Sequence, residues 1–145
     1  MQWRFATIDD SRVLAELNQQ LIEDEEHRNS MNIDQLEQRM RLWLGSEYRA
    51  VVFLRGSTIV AYALYRGRAD GDVHLRQFFV ARDSRRQGVG REAMRTFRNA
   101  VLDRDKRIVL EVLTNNAAAR AFWNATGFRE YAVTLECLPV DEASK

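Results

Sequence analysis

Two apolar runs that lie next to each other in the chain, Arg49–Leu54 and Thr58–Tyr65, place the strongest constraint on the fold. Both runs are rich in β-branched and aromatic residues, and only Arg55, Gly56 and Ser57 separate them. A short connection with glycine between two such runs is typical of a β-hairpin. The sequence therefore predicts a sheet with this hairpin in it.

The remaining apolar segments predict the elements around the hairpin. Further strands are predicted at Arg4–Ile8, Val73–Val80, Arg107–Leu113 and Phe128–Leu138. Apolar residues at helical spacing predict helices within 13–22, 33–44, 89–101 and 115–127. The resulting order, β-α-α-β-β-β-α-β-α-β, indicates an α/β protein with a mixed sheet and helices on both faces.

Composition narrows the class of protein. The 145 residues are 46% hydrophobic and 30% charged, which is typical of one globular domain, expected here over 1–138 with a tail at 139–145. No apolar run is long enough to span a membrane and no secretory signal is recognised, so a cytoplasmic protein without a membrane partner is predicted. Cys137 is the single cysteine and is expected to be buried; with two histidines, it predicts neither a disulfide nor a metal site.

Charge is distributed unevenly although its sum is only +1. Residues 9–37 contain nine acids and two arginines, a net charge of −7, whereas residues 76–107 contain ten bases and four acids, a net charge of +6. The two segments either serve ligands of opposite charge or are ordinary solvated helix faces. The overall balance does not favour nucleic acid as a partner.

The motif R-x-x-G-x-G, at Arg85–Gly90, lies between a predicted strand and a predicted helix. Glycines let the backbone approach a ligand closely, and the first amides of a helix have no internal acceptors. The motif therefore predicts either a tight turn or a pyrophosphate site at a helix N-terminus. It lacks the Gly-Lys-Ser/Thr of a Walker loop and the third glycine of a dinucleotide fingerprint.

The strand just before this motif loses its apolar–polar alternation at Gln77, where Phe78 and Phe79 follow each other. Such a break indicates either a β-bulge or a strand that is buried on both faces.

A second motif, N-x-x-A-x-x-F-W-x-x-x-G-F, begins at Asn116 and ends at Phe128. Together with R-x-x-G-x-G and the order of elements, it resembles the GNAT superfamily of acyl-CoA N-acyltransferases over most of the chain. The resemblance implies a largely antiparallel twisted sheet of about six strands with four helices. It also implies a cofactor cleft where the strands at 73–80 and 107–113 splay apart.

The resemblance further implies acetyl-CoA as cofactor, with its pyrophosphate on the Arg85–Gly90 amides and its pantetheine arm on the backbone of the splayed strand. The amide of Phe79 or Val80 would polarise the thioester carbonyl. Asn116 matches a family asparagine that contacts the cofactor arm, or it caps the following helix. The implied cofactor-binding residues are Phe78, Val80, Arg85, Arg86, Gln87, Gly88, Val89, Gly90, Arg91, Asn116, Ala119 and Trp123.

Acetyl transfer to an amine requires a base. Glu111 is the first candidate, because it stands between Leu110 and Val112, where a free charge is costly unless it serves a function. Family members with a similar L-E-V stretch use its glutamate in this way. The alternative is a glutamate on a solvated or cross-strand-paired face. His74, Asp72 and Glu26 are the other candidates for the base.

Many family members protonate the leaving thiolate with a tyrosine, and this chain has Trp123 at that position. Indole has no proton to give near neutral pH. Either the thiolate leaves without an acid, or another group such as Tyr131 replaces it, or the domain binds acyl-CoA without turnover.

The acceptor is predicted to be a small molecule with a primary amine. Glu23, Glu26 and His74 are expected to bind it, and the acidic run at 23–26 favours a cationic amine. A peptide amine remains an alternative. A homodimer is also predicted, because one terminal strand is short of the two that often close this fold.

Overall fold

The computed structural model describes residues 1–25 and 28–140. Its strands are β1 (Gln2–Phe5), β2 (Arg49–Arg55), β3 (Thr58–Gly67), β4 (Val73–Val80) and β5 (Ile108–Val109). Its α-helices are α1 (Ser11–Asp24), α2 (Ile33–Leu44), α3 (Val89–Thr96) and α4 (Ala117–Ala125). Short 3₁₀ turns at Ile8–Asp10 and Arg82–Ser84 precede α1 and α3, and a π-helical turn at Phe97–Val101 extends α3.

The five strands form one sheet in the order β1-β2-β3-β4-β5. The first three pairings are antiparallel, and β5 pairs with β4 in parallel. The mixed, largely antiparallel sheet with four helices confirms the predicted fold class, including the hairpin of β2 and β3.

Alternation along β2 and β3 builds a core on each face of the sheet. One core packs Val52 and Tyr62 against Leu14 of α1 and Met40 of α2. The opposite core packs Val51, Phe53, Ala61, Ala63 and Tyr65 against Val89, Ala93, Met94 and Phe97. The sheet is therefore buried on both sides at its centre, which explains why its strands read as continuous apolar runs.

Helix α2 begins with a capping box. The Asn32 side chain accepts a hydrogen bond from the Gln35 amide, and the Gln35 side chain accepts one from the Asn32 amide, both at 2.9 Å. Two amides that the helix cannot satisfy itself thus find acceptors. The box fixes where α2 starts and so which of its side chains face the sheet.

The C-terminal part departs from the sequence prediction. Only Ile108 and Val109 pair with β4, and 128–138 forms no strand, so the sheet has five strands and not six. The alternating residues of that segment stay in solvent, with Tyr131 82% and Leu135 88% exposed, and Cys137 is exposed rather than buried. Alternation reports a preference for extended backbone, but a strand also needs a neighbouring edge to pair with, and the described chain supplies none there.

Candidate functional site

The parallel pairing of β4 and β5 stops after two residue pairs, Val73 with Ile108 and His74 with Val109. Beyond these pairs, β4 and the segment that follows β5 diverge, and a cavity of about 1160 Å³ opens between them. The rest of β4 forms one wall, and Leu110–Leu113 with the start of α4 forms the other. The ends of α1 and α2 close the far side of the cavity.

A β-bulge lies in β4 near the predicted break in alternation. Leu64 pairs with Gln77 and Tyr65 pairs with Leu75, so Arg76 is the extra residue. The bulge shifts the alternation of β4: Leu75 joins the core below α3, whereas Phe79 joins the core below α1 and α2. It re-aims side chains beside the cavity, as bulges near functional sites commonly do.

Beyond the bulge, the backbone of β4 presents hydrogen-bonding groups to the cleft. The Ala81 amide donates to the Val60 carbonyl on β3 at 2.9 Å. In an antiparallel ladder alternate residues turn to the same neighbour, so the Phe79 amide faces β3 whereas the amides of Phe78 and Val80 face the cleft. Of the two amides predicted to polarise a carbonyl, only that of Val80 lies on the open edge.

The R-x-x-G-x-G motif forms the turn that leads into α3. Two of its residues have left-handed backbone, Arg86 with φ 62° and Gly88 with φ 73°. The first helical hydrogen bond runs from the Glu92 amide to the Gly88 carbonyl at 3.1 Å. In the part of the chain that the structure describes, the amides of residues 86–91 find no acceptor. They form a concave set of donors at a helix N-terminus, which suits an anion.

Gly90 lies where α3 approaches the aromatic wall of the cleft. A Cβ atom built on it would stand 3.2 Å from Cε2 of Phe122 and 3.3 Å from Cγ2 of Val80. Any side chain would push these neighbours, both of which line the cavity. Glycine at this position thus keeps the cleft open by close packing, whereas Gly88 is required by its backbone angle.

The arginines of the turn have different partners. The guanidinium of Arg85 donates to Asp24 Oδ2 at 2.5 Å and stacks over Phe79 at 4.8 Å. Among residues 1–25 and 28–140, Arg86 and Arg91 have no ion-pair partner, and both line the cavity. Gln87, also predicted to bind cofactor, instead accepts a hydrogen bond from Arg55 at 2.9 Å.

Glu23, which is predicted to bind the acceptor, and its neighbour Asp24 are engaged within the protein. Arg82 bridges Glu23 at 2.9 Å and Asp24 at 3.0 Å. Partial burial raises the pKa of the Asp24 carboxyl, but hydrogen bonds from Arg85 and Arg82 outweigh it and lower the pKa overall. The acidic end of α1 is thus joined to the basic turn before α3. Glu26 lies outside the described residues.

Two predicted site residues from different strands meet at the mouth of the cleft. Nε2 of His74 lies 2.7 Å from Oε2 of Glu111. The His74 side chain is 14% exposed and that of Glu111 is 75% exposed, so the carboxylate reaches solvent beside a partly buried imidazole. Asp72, another candidate base, accepts a hydrogen bond from Arg107 at 2.6 Å and is not among the described residues that line the cavity.

The second motif supplies the aromatic wall. Trp123 packs edge-on against Phe122, Phe128 and Phe78 at centroid distances of 4.9, 5.0 and 5.6 Å. Asn116 caps α4 by accepting from the Ala119 amide at 3.1 Å, and both residues line the cavity. The capping role predicted for Asn116 is therefore present, and its position in the cavity wall leaves room for the second role.

Sequence reasoning missed three residues that line the cavity beside α2: Arg39, Trp43 and Arg76. Arg39 interrupts the apolar face of α2 between Leu36 and Trp43. An arginine at a position where helical periodicity requires an apolar side chain was the available signal. The position of Arg76 could be recognised only once the bulge in β4 had been located.

Solved structures place this architecture among acetyltransferases. The possible acetyltransferase from Clostridium difficile 630 is 22% identical, with 97% of this chain and 98% of that chain covered and a TM-score of 0.77. Aminoglycoside 6'-N-acetyltransferase AAC(6')-IG from Acinetobacter haemolyticus is 16% identical, with 97% and 100% covered and a TM-score of 0.74. A predicted acetyltransferase with acetyl-CoA from Clostridium acetobutylicum is 15% identical, with 94% and 95% covered and a TM-score of 0.71. At these identities the likeness establishes the fold.

The splayed sheet with a glycine turn before α3 is thus the fold of these solved structures. The sequence profile of the Acetyltransferase (GNAT) family matches residues 13–128, and the chain belongs to this family. A search of curated proteins finds no significant match. Within the described ranges, no helix combines the length and apolar character needed to cross a bilayer.

The link between Asp24 and the two arginines predicts a pH-dependent stability. Aspartate in an unfolded chain has a pKa near 3.9, and the folded value is lower, so the stabilisation is present above about pH 4 and is lost as the pH falls through the folded value. Asp24→Asn should lower the free energy of unfolding at about pH 7, and its difference from wild type should narrow towards about pH 3. Urea unfolding at a series of pH values measures this.

Asp83→Asn is the matched control, because Asp83 is an exposed aspartate in the neighbouring turn. A difference between Asp24→Asn and wild type that stays constant over the whole pH range would contradict the assigned role of the carboxylate.

Proposed function

We propose that this protein transfers an acetyl group from acetyl-CoA to the primary amine of a small molecule. The observation that carries the proposal is the continuity of one cleft. It runs from the amides of residues 86–91, past the open edge of β4 at Val80, to the His74–Glu111 pair. An anchor for an anion, a donor for a carbonyl and a base for an amine lie along it in the order that the reaction requires.

The residues present fit acetyl-CoA. Six amides without acceptors, with the side chains of Arg86 and Arg91, suit a pyrophosphate. The aromatic wall and the Phe78–Val80 backbone would hold the pantetheine arm, with Asn116 and Ala119 on the opposite side. When bound, acetyl-CoA supplies an acetyl group activated as a thioester.

The chemistry assigned to this chain concerns one proton and one oxygen. Glu111 takes the proton of the acceptor ammonium, because only the neutral amine has a lone pair to form the new C–N bond. His74 is a positioning residue: its Nε2–H donates a hydrogen bond to the carboxylate of Glu111 and so orients it. The Val80 amide donates to the carbonyl oxygen as negative charge gathers there. The electron pair of the broken C–S bond leaves on sulfur, and the second proton that the nitrogen loses as the amide forms is released to water.

The departing thiolate receives no proton from a tyrosine in this proposal. No tyrosine is present among the described residues that line the cavity, and Tyr131 lies beneath Arg107, outside it. Trp123 is held in the aromatic wall and has no proton to give. A thiol has a pKa of about 8.5, so a thiolate leaves readily and is protonated by water.

The acidic run at the end of α1, which the sequence favoured for binding the acceptor, gives little support to a cationic amine. Glu23 and Asp24 already have arginine partners, so they supply little field for a cationic amine. A primary amine on a small molecule remains the proposal, with a peptide amine as the alternative.

A homodimer is part of the same proposal. Val133, Leu135 and Leu138 are 70%, 88% and 61% exposed, which is more apolar surface than a short segment of a monomer ordinarily leaves in water. A second copy that pairs with residues 131–140 would bury it and complete the sheet.

Replacing Val133 and Leu135 together by aspartate should convert the dimer to a monomer, because two charges would have to be buried without partners. Light scattering after size exclusion gives the mass. Leu42→Asp is the control, since Leu42 is a 67% exposed leucine on α2, and it should leave the mass unchanged. A monomeric wild-type protein would contradict this part of the proposal.

Gly90→Val should weaken acetyl-CoA binding by about tenfold or more, because its side chain would displace Phe122 and Val80 into the cleft. Calorimetric titration measures the affinity, and thermal melting confirms that the fold survives. Arg95→Val places the same residue on an exposed face of α3 and should bind normally. Unchanged affinity in a folded Gly90→Val protein would show that the cofactor lies elsewhere.

Glu111→Gln should lower kcat by about 100-fold while leaving acetyl-CoA affinity unchanged, since only the proton transfer is lost. Thiol release, followed with Ellman's reagent over a panel of amines and pH values, measures it. Glu130→Gln, an exposed glutamate outside the cavity, should keep the wild-type rate. A near-normal rate for Glu111→Gln at every pH would exclude Glu111 as the base. Acetyl-CoA binding without amine-dependent release by the wild type would favour a non-catalytic acyl-CoA-binding module.

A further inference from the structure

We infer that the acceptor amine carries a carboxylate group, which Arg39 and Arg76 bind at the end of the cleft beside Trp43. The inference rests on the proposed function, because it names the class of acceptor for the same site. It arises from two cations whose charges the described protein does not neutralise.

Arg39 and Arg76 converge on one side chain although they come from different elements. The guanidinium of Arg39, on α2, lies 4.4 Å from the ring centroid of Trp43, and that of Arg76, at the bulge of β4, lies 4.9 Å from it. Arg76 also lies 5.9 Å from the Tyr48 ring. Arg39, Trp43 and Arg76 all line the cavity, so both cations lie in its wall.

Neither cation is paired with an acid in the part of the chain that the structure describes. Arg39 donates to the neutral side chain of Asn18 at 2.9 Å, and Arg76 reaches only the hydroxyl of Tyr48 at 3.4 Å. Nε of Arg39 is buried and has no acceptor. By contrast, Arg82 and Arg85 at the other side of α1 both have carboxylate partners.

This arrangement has a free-energy cost that an anion would relieve. The pKa of Arg39 is lowered, first because burial removes water from the guanidinium and then because the charge of Arg76 repels it. Two like charges near each other in a partly buried site are unfavourable without a counter-ion. Guanidinium groups bind carboxylates with paired, directional hydrogen bonds, and aromatic stacking holds their planes in place.

A carboxylate suits this end better than a phosphate. Glu111 lines the same cavity, so a dianion would meet more repulsion than a monoanion.

The spacing of the two sites also limits the size of the acceptor. His74 and Arg76 are two residues apart on β4, about 7 Å along the strand. The alternation of β4 directs His74 away from Val73 and Leu75 and therefore to the α1 and α2 face, where Arg76 meets Trp43. A small amino acid can place its amine at Glu111 and its carboxylate at the arginine pair.

The test compares each acceptor with its own carboxamide. Thiol release from acetyl-CoA is measured with α-amino acids, β-alanine and 4-aminobutyrate, each beside the amide that lacks the charge, and with phosphoethanolamine, spermidine and kanamycin. The wild type should show kcat/KM at least about tenfold higher for an amino acid than for its amide. Preference for a polyamine, an aminoglycoside or the phosphate compound would overturn the inference.

Variants then assign the preference to the two arginines. Arg39→Gln and Arg76→Gln should each bring the acid-to-amide ratio towards one, mainly through KM, and Arg76→Lys should retain part of it. Acetyl-CoA affinity should not change. Arg41→Gln, an exposed arginine on the same helix, is the matched control and should keep the full ratio. A ratio that persists in both glutamine variants would overturn the inference.

The failure of the proposed function would look different. If no amine in the panel accelerates thiol release, calorimetric titration of the amino acids and their amides still reports on the pocket. Saturable binding of an amino acid that Arg39→Gln weakens at least tenfold would support the carboxylate site in a non-catalytic protein, and no binding would overturn it.

Discussion

The early end of the ladder between β4 and β5 is the constraint on which the rest of this structure depends. Two parallel residue pairs hold the strands together, and after them every backbone group on the open edge of β4 needs another partner. Unpaired backbone groups away from water are costly, so a gap of this kind persists only if water or a ligand fills it. The turn before α3 adds amides without acceptors at the same opening. The fold thus concentrates unmet hydrogen-bonding capacity in one cleft.

The charged residues around that cleft fall into two groups: those paired with an opposite charge within the protein, and those that line the cavity without such a partner among the described residues. The opposed charges of the two segments meet within the protein, where Glu23 and Asp24 bind Arg82 and Arg85. This link ties the end of α1 to the turn before α3. Two pairs of cavity-lining cations have no acid partner among the described residues: Arg86 and Arg91 near the turn, and Arg39 and Arg76 near Trp43. Their positions separate the anion site that we propose for the acetyl donor from the one that we propose for the acceptor.

Much of this architecture could be predicted from the sequence, because local periodicity determines it. The hairpin and the four helices each follow from patterns within a few residues, and the motifs at Arg85–Gly90 and Asn116–Phe128 marked the family. The broken alternation at Gln77 left a bulge and a strand buried on both faces open, and the register with β3 decides for the bulge. The strand at 128–138 was predicted wrongly, because extended preference does not supply a neighbouring edge.

Periodicity does not predict which side chains from distant parts of the sequence come into contact. Glu111 and His74 were both candidate residues, but their contact depends on the parallel register of two strands 37 residues apart in sequence. The partners of Glu23 and Asp24 depend in the same way on how α1 lies against the turn. Arg39 and Trp43 went unrecognised because a cation among apolar helix positions has many explanations until the cavity beside it is known.

The distribution of buried side chains has a consequence for motion. Every fully buried side chain of the described residues belongs to the first 97 residues, so the wall formed by Leu110–Leu113 and α4 is anchored by half-covered contacts only. Local opening of such a region costs less free energy than unfolding of the sheet, and its amides exchange with solvent before those of the core. The cleft therefore has one rigid side and one yielding side. The acetyl-CoA that we propose as cofactor can then enter by displacing the C-terminal wall while β4, with its amides already oriented, stays in place.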